Sequence, residues 1–266
     1  HVHSEYSIVD GIARLKPLMQ HCRQMASPAI AVTDLCNFYA AVKIYKTAIN
    51  NGIKPILGAE LPFGNLSNGK IASHAVFLCQ NEQGYKNLTR LISRAYLEGQ
   101  VNGNVLLDKS WLINASEGLI VLSGGMRSDV AIALNNNELE LASKLIKRWS
   151  EIFPDRYYLE LTRTKRANEE TYLRAVLPLA EKYNLPVVAT NDVCFLARSD
   201  FEAHETRVCI RRGDLLDDPK REKLYSEEQY FKTPEEMTEL FFDLPEAIEN
   251  TIEIAKRCTT TIELGK

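Results

Sequence analysis

No stretch of this 266-residue chain comes near the roughly 20 consecutive apolar residues that a membrane span needs. No charged-then-apolar leader opens it either, so a cytoplasmic location is expected. Its six cysteines, at 22, 36, 79, 194, 209 and 258, contain no CxxC and no short repeated spacing, which argues against a zinc ribbon or a disulfide framework. Several lie in apolar segments, such as Cys79 in AVFLCQ, and read as small core residues in a reducing compartment. An excess of basic residues is also missing: the formal net charge is -3. A protein whose whole surface grips nucleic acid needs the opposite balance, because each phosphate contact neutralises one charge. Internal repeats and low-complexity tracts are lacking too. The first residue is His1 and not Met, which reads as a start inside a longer frame.

What is present is an alternation of short β-rich apolar runs with longer helical patterns. The runs His1–His3, Ala29–Thr33, Lys54–Glu60, Ser73–Cys79, Gly118–Ser123, Arg156–Leu161 and Pro186–Thr190 read as strands. Leu15–Ala26, Phe38–Asn50, Tyr85–Leu97, Leu139–Ile152 and Glu169–Tyr183 carry apolar residues at helical spacing. Asn137, Asn168 and Thr233 are expected N-caps, the last followed by Pro234. This order predicts a mostly parallel sheet with crossover helices, as a closed or nearly closed (β/α) barrel or, second, a doubly wound open sheet. Leu61–Ala72, with Pro62, Gly64, Asn65, Asn68 and Gly69, is turn-rich, so the strands flanking it are expected to form an antiparallel hairpin. Past Asn191 only helices follow: Asp200–Arg211, Pro234–Phe242 and Pro245–Arg257, with Asp214–Tyr225 as a charged loop. The chain therefore divides into a barrel over 1–198 and a helical extension over 199–266.

The chemistry is concentrated at strand ends. His1 and His3 lie two apart, so in a strand both imidazoles address one face. Asp34 ends one apolar strand, Glu60 another, and Asp192 and Cys194 follow a third. The carboxyl ends of parallel barrel strands converge on one mouth. The hairpin brings the start of its second strand beside the end of its first, which places His74 near Glu60. The candidate cluster is His1, His3, Asp10, Glu60, His74 and Asp192, a donor set suited to Zn²⁺, Mn²⁺ or Fe. Several such ions together favour phosphoester chemistry. The blander reading is ordinary polar residues at a barrel rim. His21 reads as a helix-face residue and His204 as a packing residue. The cations at 163, 165, 166, 211, 212, 220 and 221 read as solvated loop charges, with contact to nucleic acid or a partner as the second reading.

The segments HVHSEYSIVDG, AVTDLCN, GIKPILGAE, HAVFLCQNEQGYKNL, GLIVLSGG and LPVVATNDVCF resemble the PHP (polymerase and histidinol phosphatase) domain family. LLDDPKR (215–221), FKTPEEM and NTIEIAKRC are similar, more narrowly, to the alpha subunits of bacterial DNA polymerase III. The resemblance implies an irregular seven-stranded (β/α) barrel with a helical extension and, in active members, a metal cluster at the mouth. It implies ligand positions at His1, His3, Asp10, Glu60, His74 and Asp192. Three positions depart from the pattern: Leu35 and Gly125 replace ligands and offer no donor atom, whereas Cys194 replaces a histidine with a thiol that can still ligate as a thiolate and stays among the candidate metal ligands. His1, His3, Glu60 and Asp192 resemble one intact subsite. The implied content is therefore at most one divalent ion (Zn²⁺, Mn²⁺ or Mg²⁺) and not a multinuclear cluster. For the whole protein the resemblance implies DNA-directed DNA polymerase activity in replication. This segment would serve as scaffold and docking surface for the proofreading exonuclease, meeting DNA only through the remainder of the polymerase chain. The alternatives are an active phosphoesterase, either a 3′–5′ exonuclease or a pyrophosphatase, and a free-standing histidinol-phosphatase-like enzyme, which the polymerase-like segments disfavour.

Overall fold

The computed structural model describes residues 1–265. In chain order the elements are α1 (Leu15–Gln24), β1 (Ala29–Leu35), α2 (Ala41–Asn50), β2 (Lys54–Asn65), β3 (Lys70–Cys79), α3 (Glu82–Glu98) and the two-residue strands β4 (Gln100–Val101) and β5 (Asn104–Val105). They continue with β6 (Leu119–Leu122), α4 (Asp129–Asn135), α5 (Leu139–Ile152), β7 (Tyr157–Thr162), α6 (Glu169–Tyr183), β8 (Val187–Thr190), α7 (Phe201–Arg212), α8 (Pro234–Leu240) and α9 (Pro245–Arg257).

Six strands form one curled sheet in the order β1-β2-β3-β6-β7-β8. β1–β2, β6–β7 and β7–β8 are parallel, while β3 runs antiparallel to both its neighbours. The irregularity expected from the turn-rich connection is there, and the hairpin is longer than the sequence suggested. β2 runs on to Asn65 and β3 begins at Lys70, with a register shift at Phe63/Gly64. Glu60 therefore lies inside β2, not at its end.

The expected first strand is much reduced. Within 1–3 only Val2 is paired, bridging in parallel to Val32 of β1 on one side and to Val193 beyond β8 on the other. Val2 thus links the two edges of the sheet, and His3 N donates to Val193 O at 2.8 Å. This single residue supplies the seventh position of the barrel and aims its two histidine neighbours at one face.

β6, β7 and β8 are buried along their whole length, as strands covered on both faces must be. The outer helices turn apolar stripes inward: Leu15, Leu18, Met19 and Cys22 of α1 are buried at 3–4 spacing. Helix α3 starts three residues earlier than its apolar pattern, because Asn81 caps it by accepting from Gly84 N. Gly84 is required there, since a Cβ would lie 1.7 Å from Gly118 O. Thr233 and Glu236 form a capping box on α8, with Pro234 at its first position. Asn137 and Asn168 place no side-chain cap: Asn137 precedes the cap position of α5 with φ +61°, and Asn168 sits at φ +67°. Helix α4, which the apolar periodicity missed, is capped by Ser128. α9 packs on β8, where Asn250 Nδ2 donates to Val187 O at 2.8 Å.

Candidate metal centre at the barrel mouth

Local backbone chemistry sets the site. Asp34, buried at the end of β1, accepts from Ser4 N (2.7 Å), Ser4 Oγ (2.7 Å) and Ser7 Oγ (2.8 Å). It pins the loop between His3 and Asp10 and takes no direct part in the cluster. His3, fully buried, then places Nδ1 3.0 Å from Asp10 Oδ1 and Nε2 2.9 Å from Glu60 Oε2. The hairpin brings His74 Nδ1 to 2.5 Å from Glu60 Oε1. His1 Nε2 lies 3.0 Å from Glu160 Oε1 and 3.8 Å from Asp192 Oδ1. His1, His3, Asp10, Glu60, His74 and Asp192 thus gather in one place.

Glu160, absent from the cluster expected from sequence, completes the acidic floor; its signal in the sequence is a single acid inside the apolar run YYLELT. It accepts from Gly124 N at 3.1 Å and from Thr190 Oγ1 at 2.5 Å. The Gly124–Gly125 turn, with φ of +98° and +52°, lets the chain double back against His74, where a Cβ on Gly124 would meet His74 O at 2.3 Å. That turn delivers Arg127 to the mouth. Its Nη2 donates to Glu60 Oε2 at 2.7 Å and lies 3.6 Å from Asp192 Oδ1. Arg166 Nη1 donates to Asp192 Oδ2 at 2.8 Å, and Tyr225 Oη donates to Asp10 Oδ2 at 3.1 Å. Gln229 Nε2 donates to Asp192 Oδ2 at 3.1 Å.

Arg166 was expected to be a solvated loop charge, and its pairing with Asp192 corrects that. Arg163 and Arg221 are corrected likewise. Arg163 makes a two-pronged pair with Asp243 at 2.5 and 2.8 Å, and Arg221 meets Glu205 at 2.6 Å with 5% of its side chain exposed. Nothing in sequence spacing marks Arg127 or Arg166. Only the surplus of acids converging on the mouth signals that cations must follow.

The electrostatics are those of a network whose opposite charges offset burial. Burial opposes charge on Glu60, but Arg127, His3 and His74 outweigh it and hold the carboxyl well below its usual 4.5. Burial likewise opposes ionisation of Asp192, and Arg166 and Arg127 overcome it. Burial disfavours the His3 imidazolium, yet Asp10 and Glu60 raise its pKa well above 6.5. His1 is raised against burial chiefly by Glu160. Cys194, fully buried, is pushed well above the ordinary thiol range by burial, with Asp10 and Asp192 adding to it, so a free thiolate is disfavoured. His204 is buried against Tyr225 (ring centroids 4.7 Å) and Phe195 (5.1 Å), and burial lowers its pKa.

Among the described residues, two groups have the donors for an ion. His1, His3, Glu60 and Asp192 each offer one atom within 4.8 Å of the others, as do His3, Asp10 and Cys194. His1 Nδ1 and Asp192 Oδ1 are buried with no hydrogen-bond partner. The imidazoles and carboxylates of the first group are donors that suit a divalent metal ion. The space among His1, Glu60, Arg127, Glu160, Arg166 and Asp192 is only about 10 Å³, roughly one water. A Cβ added at Gly125 would make ordinary contact with Thr162, at 3.7 and 3.8 Å, although the backbone there has φ +52°.

Residues 1–164 match the PHP domain family. The chain belongs to that family. Over the whole of its length it is similar to DNA polymerase III alpha subunits: 49% identical to that of Pseudomonas aeruginosa, 50% to that of Pseudomonas fluorescens and 48% to that of Escherichia coli. It spans 23% of the length of each of those relatives. The structure of an amidohydrolase from Chromobacterium violaceum overlays with a TM-score of 0.49 at 12% identity, covering 71% of this PHP chain and 84% of that one. No described helix of the PHP chain is long and apolar enough to cross a membrane.

Proposed function

We propose that this PHP domain is part of a replicative DNA polymerase chain, in which its metal pocket is largely dismantled and its main role is scaffolding. One observation carries the reading: the Arg127 guanidinium lies against Glu60 and Asp192, two of the four donors of the one intact subsite. A cation fixed there competes with a metal ion for the same oxygens. His1, His3, Glu60 and Asp192 would hold at most one divalent ion, Zn²⁺, Mn²⁺ or Mg²⁺. Such an ion supplies Lewis-acid polarisation and an activated water. The chain's own residues supply the rest: His3 and Glu60 orient one another, and Arg127 and Arg166 neutralise the carboxylates. Leu35 and Gly125 contribute no donor, so phosphoester hydrolysis by this segment alone is not expected.

In this reading, DNA-directed polymerisation belongs to the remainder of the polymerase chain and to the intact replication enzyme of the cytoplasm. The barrel over 1–198 and the extension over 199–266 act as one unit that presents a docking surface to the proofreading exonuclease subunit. The test has two arms. Metal content of the purified chain after incubation with Zn²⁺ or Mn²⁺ is expected at or below one ion per chain, with no turnover of a generic phosphoester. A co-sedimentation experiment with the exonuclease subunit is expected to yield a stable complex. Two or three ions with hydrolysis would establish the alternative, an active 3′–5′ exonuclease or pyrophosphatase. Absence of a complex would remove the docking role.

A further inference from the structure

Beside the mouth lies a cleft of about 460 Å³ where three connections meet: the turn after β6, the β7–α6 connection and the segment before α8. Arg127, Lys165, Arg166 and Lys223 line it, and its lining contains no carboxylate among the described residues. The volume is that of a small-molecule site. We infer that this cleft binds a phosphorylated nucleoside, with the phosphates on the four cations and the base against Leu224 and Tyr225.

The cations have capacity to spare. Arg127 engages its acids through Nη2, and Arg166 uses Nε and Nη1, so N–H donors remain on both planar forks, the geometry that suits phosphate oxygens. Lys165 pairs with Glu228, but Arg198 at 2.8 Å and Lys232 at 3.4 Å serve that carboxylate as well. Lys223 is exposed and has no acidic partner among the described residues. The carboxylates beneath hold the two guanidiniums in place, which pre-organises them for an incoming anion. Leu224 and Tyr225, also in the lining, give the cleft an apolar side that a bare inorganic anion would leave unused. A chain of net charge -3 is poorly suited to a long polyanion, which favours a mononucleotide.

This goes beyond the scaffold reading and does not depend on it, because binding is read with EDTA present, where metal-dependent turnover is off. The probes are dATP, inorganic diphosphate and a 5′-phosphorylated single-stranded oligonucleotide, followed by isothermal titration on the intact chain. Saturable dATP binding is expected below about 1 mM, at least several-fold tighter than for diphosphate. Lys223→Glu combined with Lys165→Ala, both at exposed side chains, is expected to weaken it about tenfold or more. Arg211→Glu, an exposed cation outside the cleft, is expected to leave it unchanged. The inference is overturned by no saturation with dATP, by equal binding in the double variant, by diphosphate binding as tightly as dATP, or by the oligonucleotide binding more tightly than the mononucleotide.

Discussion

Arg127 Nη2 stands 2.7 Å from Glu60 Oε2, on the same oxygen that His3 Nε2 approaches at 2.9 Å. Two cationic groups share one buried carboxylate oxygen, and the guanidinium is the one that cannot lose its proton. Removing it leaves Glu60 and Asp192 with less compensation. Arg127→Met is expected to lower the unfolding free energy by about 2–3 kcal/mol, below the figure for a fully enclosed pair because a third of the side chain meets solvent. Urea unfolding checks it. A loss under about 0.5 kcal/mol would mean that the pair contributes no more than a surface contact.

Stability should depend on pH with a defined sign. The His3 pKa is raised by Asp10 and Glu60 against burial, so its contribution is complete below the unfolded value near 6.5 and is lost as pH rises through the folded value. The Glu60 pKa is lowered by Arg127, His3 and His74 against burial, so its contribution is present above 4.5 and is lost as pH falls through the folded value. The two together give a maximum between these limits. On the alkaline side the decline is expected to reach about 1.4 kcal/mol per pH unit where one proton is released. Denaturation free energies that stay flat from neutrality to pH 9 would contradict this.

Asp34 acts at a distance. It accepts three hydrogen bonds from Ser4 and Ser7, and through them it sets the loop between two members of the cluster. Asp34→Ala strands a backbone N–H and two hydroxyls, an expected cost of about 2–3 kcal/mol. The imidazole signal of His3 in the NMR spectrum is expected to shift as well, since its Asp10 partner is released. An unchanged His3 signal would mean that Asp34 matters to the strand and not to the cluster.

The cluster residues that were legible in the sequence are those whose position follows from periodicity. His1 and His3 are two apart, Asp192 follows a buried strand, and the turn-rich link announces the hairpin that carries His74 to Glu60. Arg127 and Arg166 were hidden because one reaches the mouth from a single 3-10 turn and the other from a loop, where no period links sequence position to direction. Helix α4 was hidden because a seven-residue helix is too short for its apolar spacing to register. Val2 shows the converse: a strand's worth of pattern in the sequence yields one bridging residue, since the sheet edges need only that much to close.

The relation between guanidinium and metal can be tested directly. A divalent ion held by His1, His3, Glu60 and Asp192 and the Arg127 guanidinium would contend for the same carboxylate oxygens, like charge against like. Arg127→Met should therefore tighten Mn²⁺ or Zn²⁺ binding by about tenfold, roughly 1.4 kcal/mol, at one ion per chain. Because both imidazoles must be deprotonated to ligate, the affinity should rise with pH over the range in which His1 and His3 titrate. The bound ion should also return part of the stability lost with Arg127, in proportion to the logarithm of its concentration. Adding His3→Asn to Arg127→Met should abolish the gain. If Arg127→Met binds the ion no better than the parent, competition from the arginine is not what limits metal binding at these four residues.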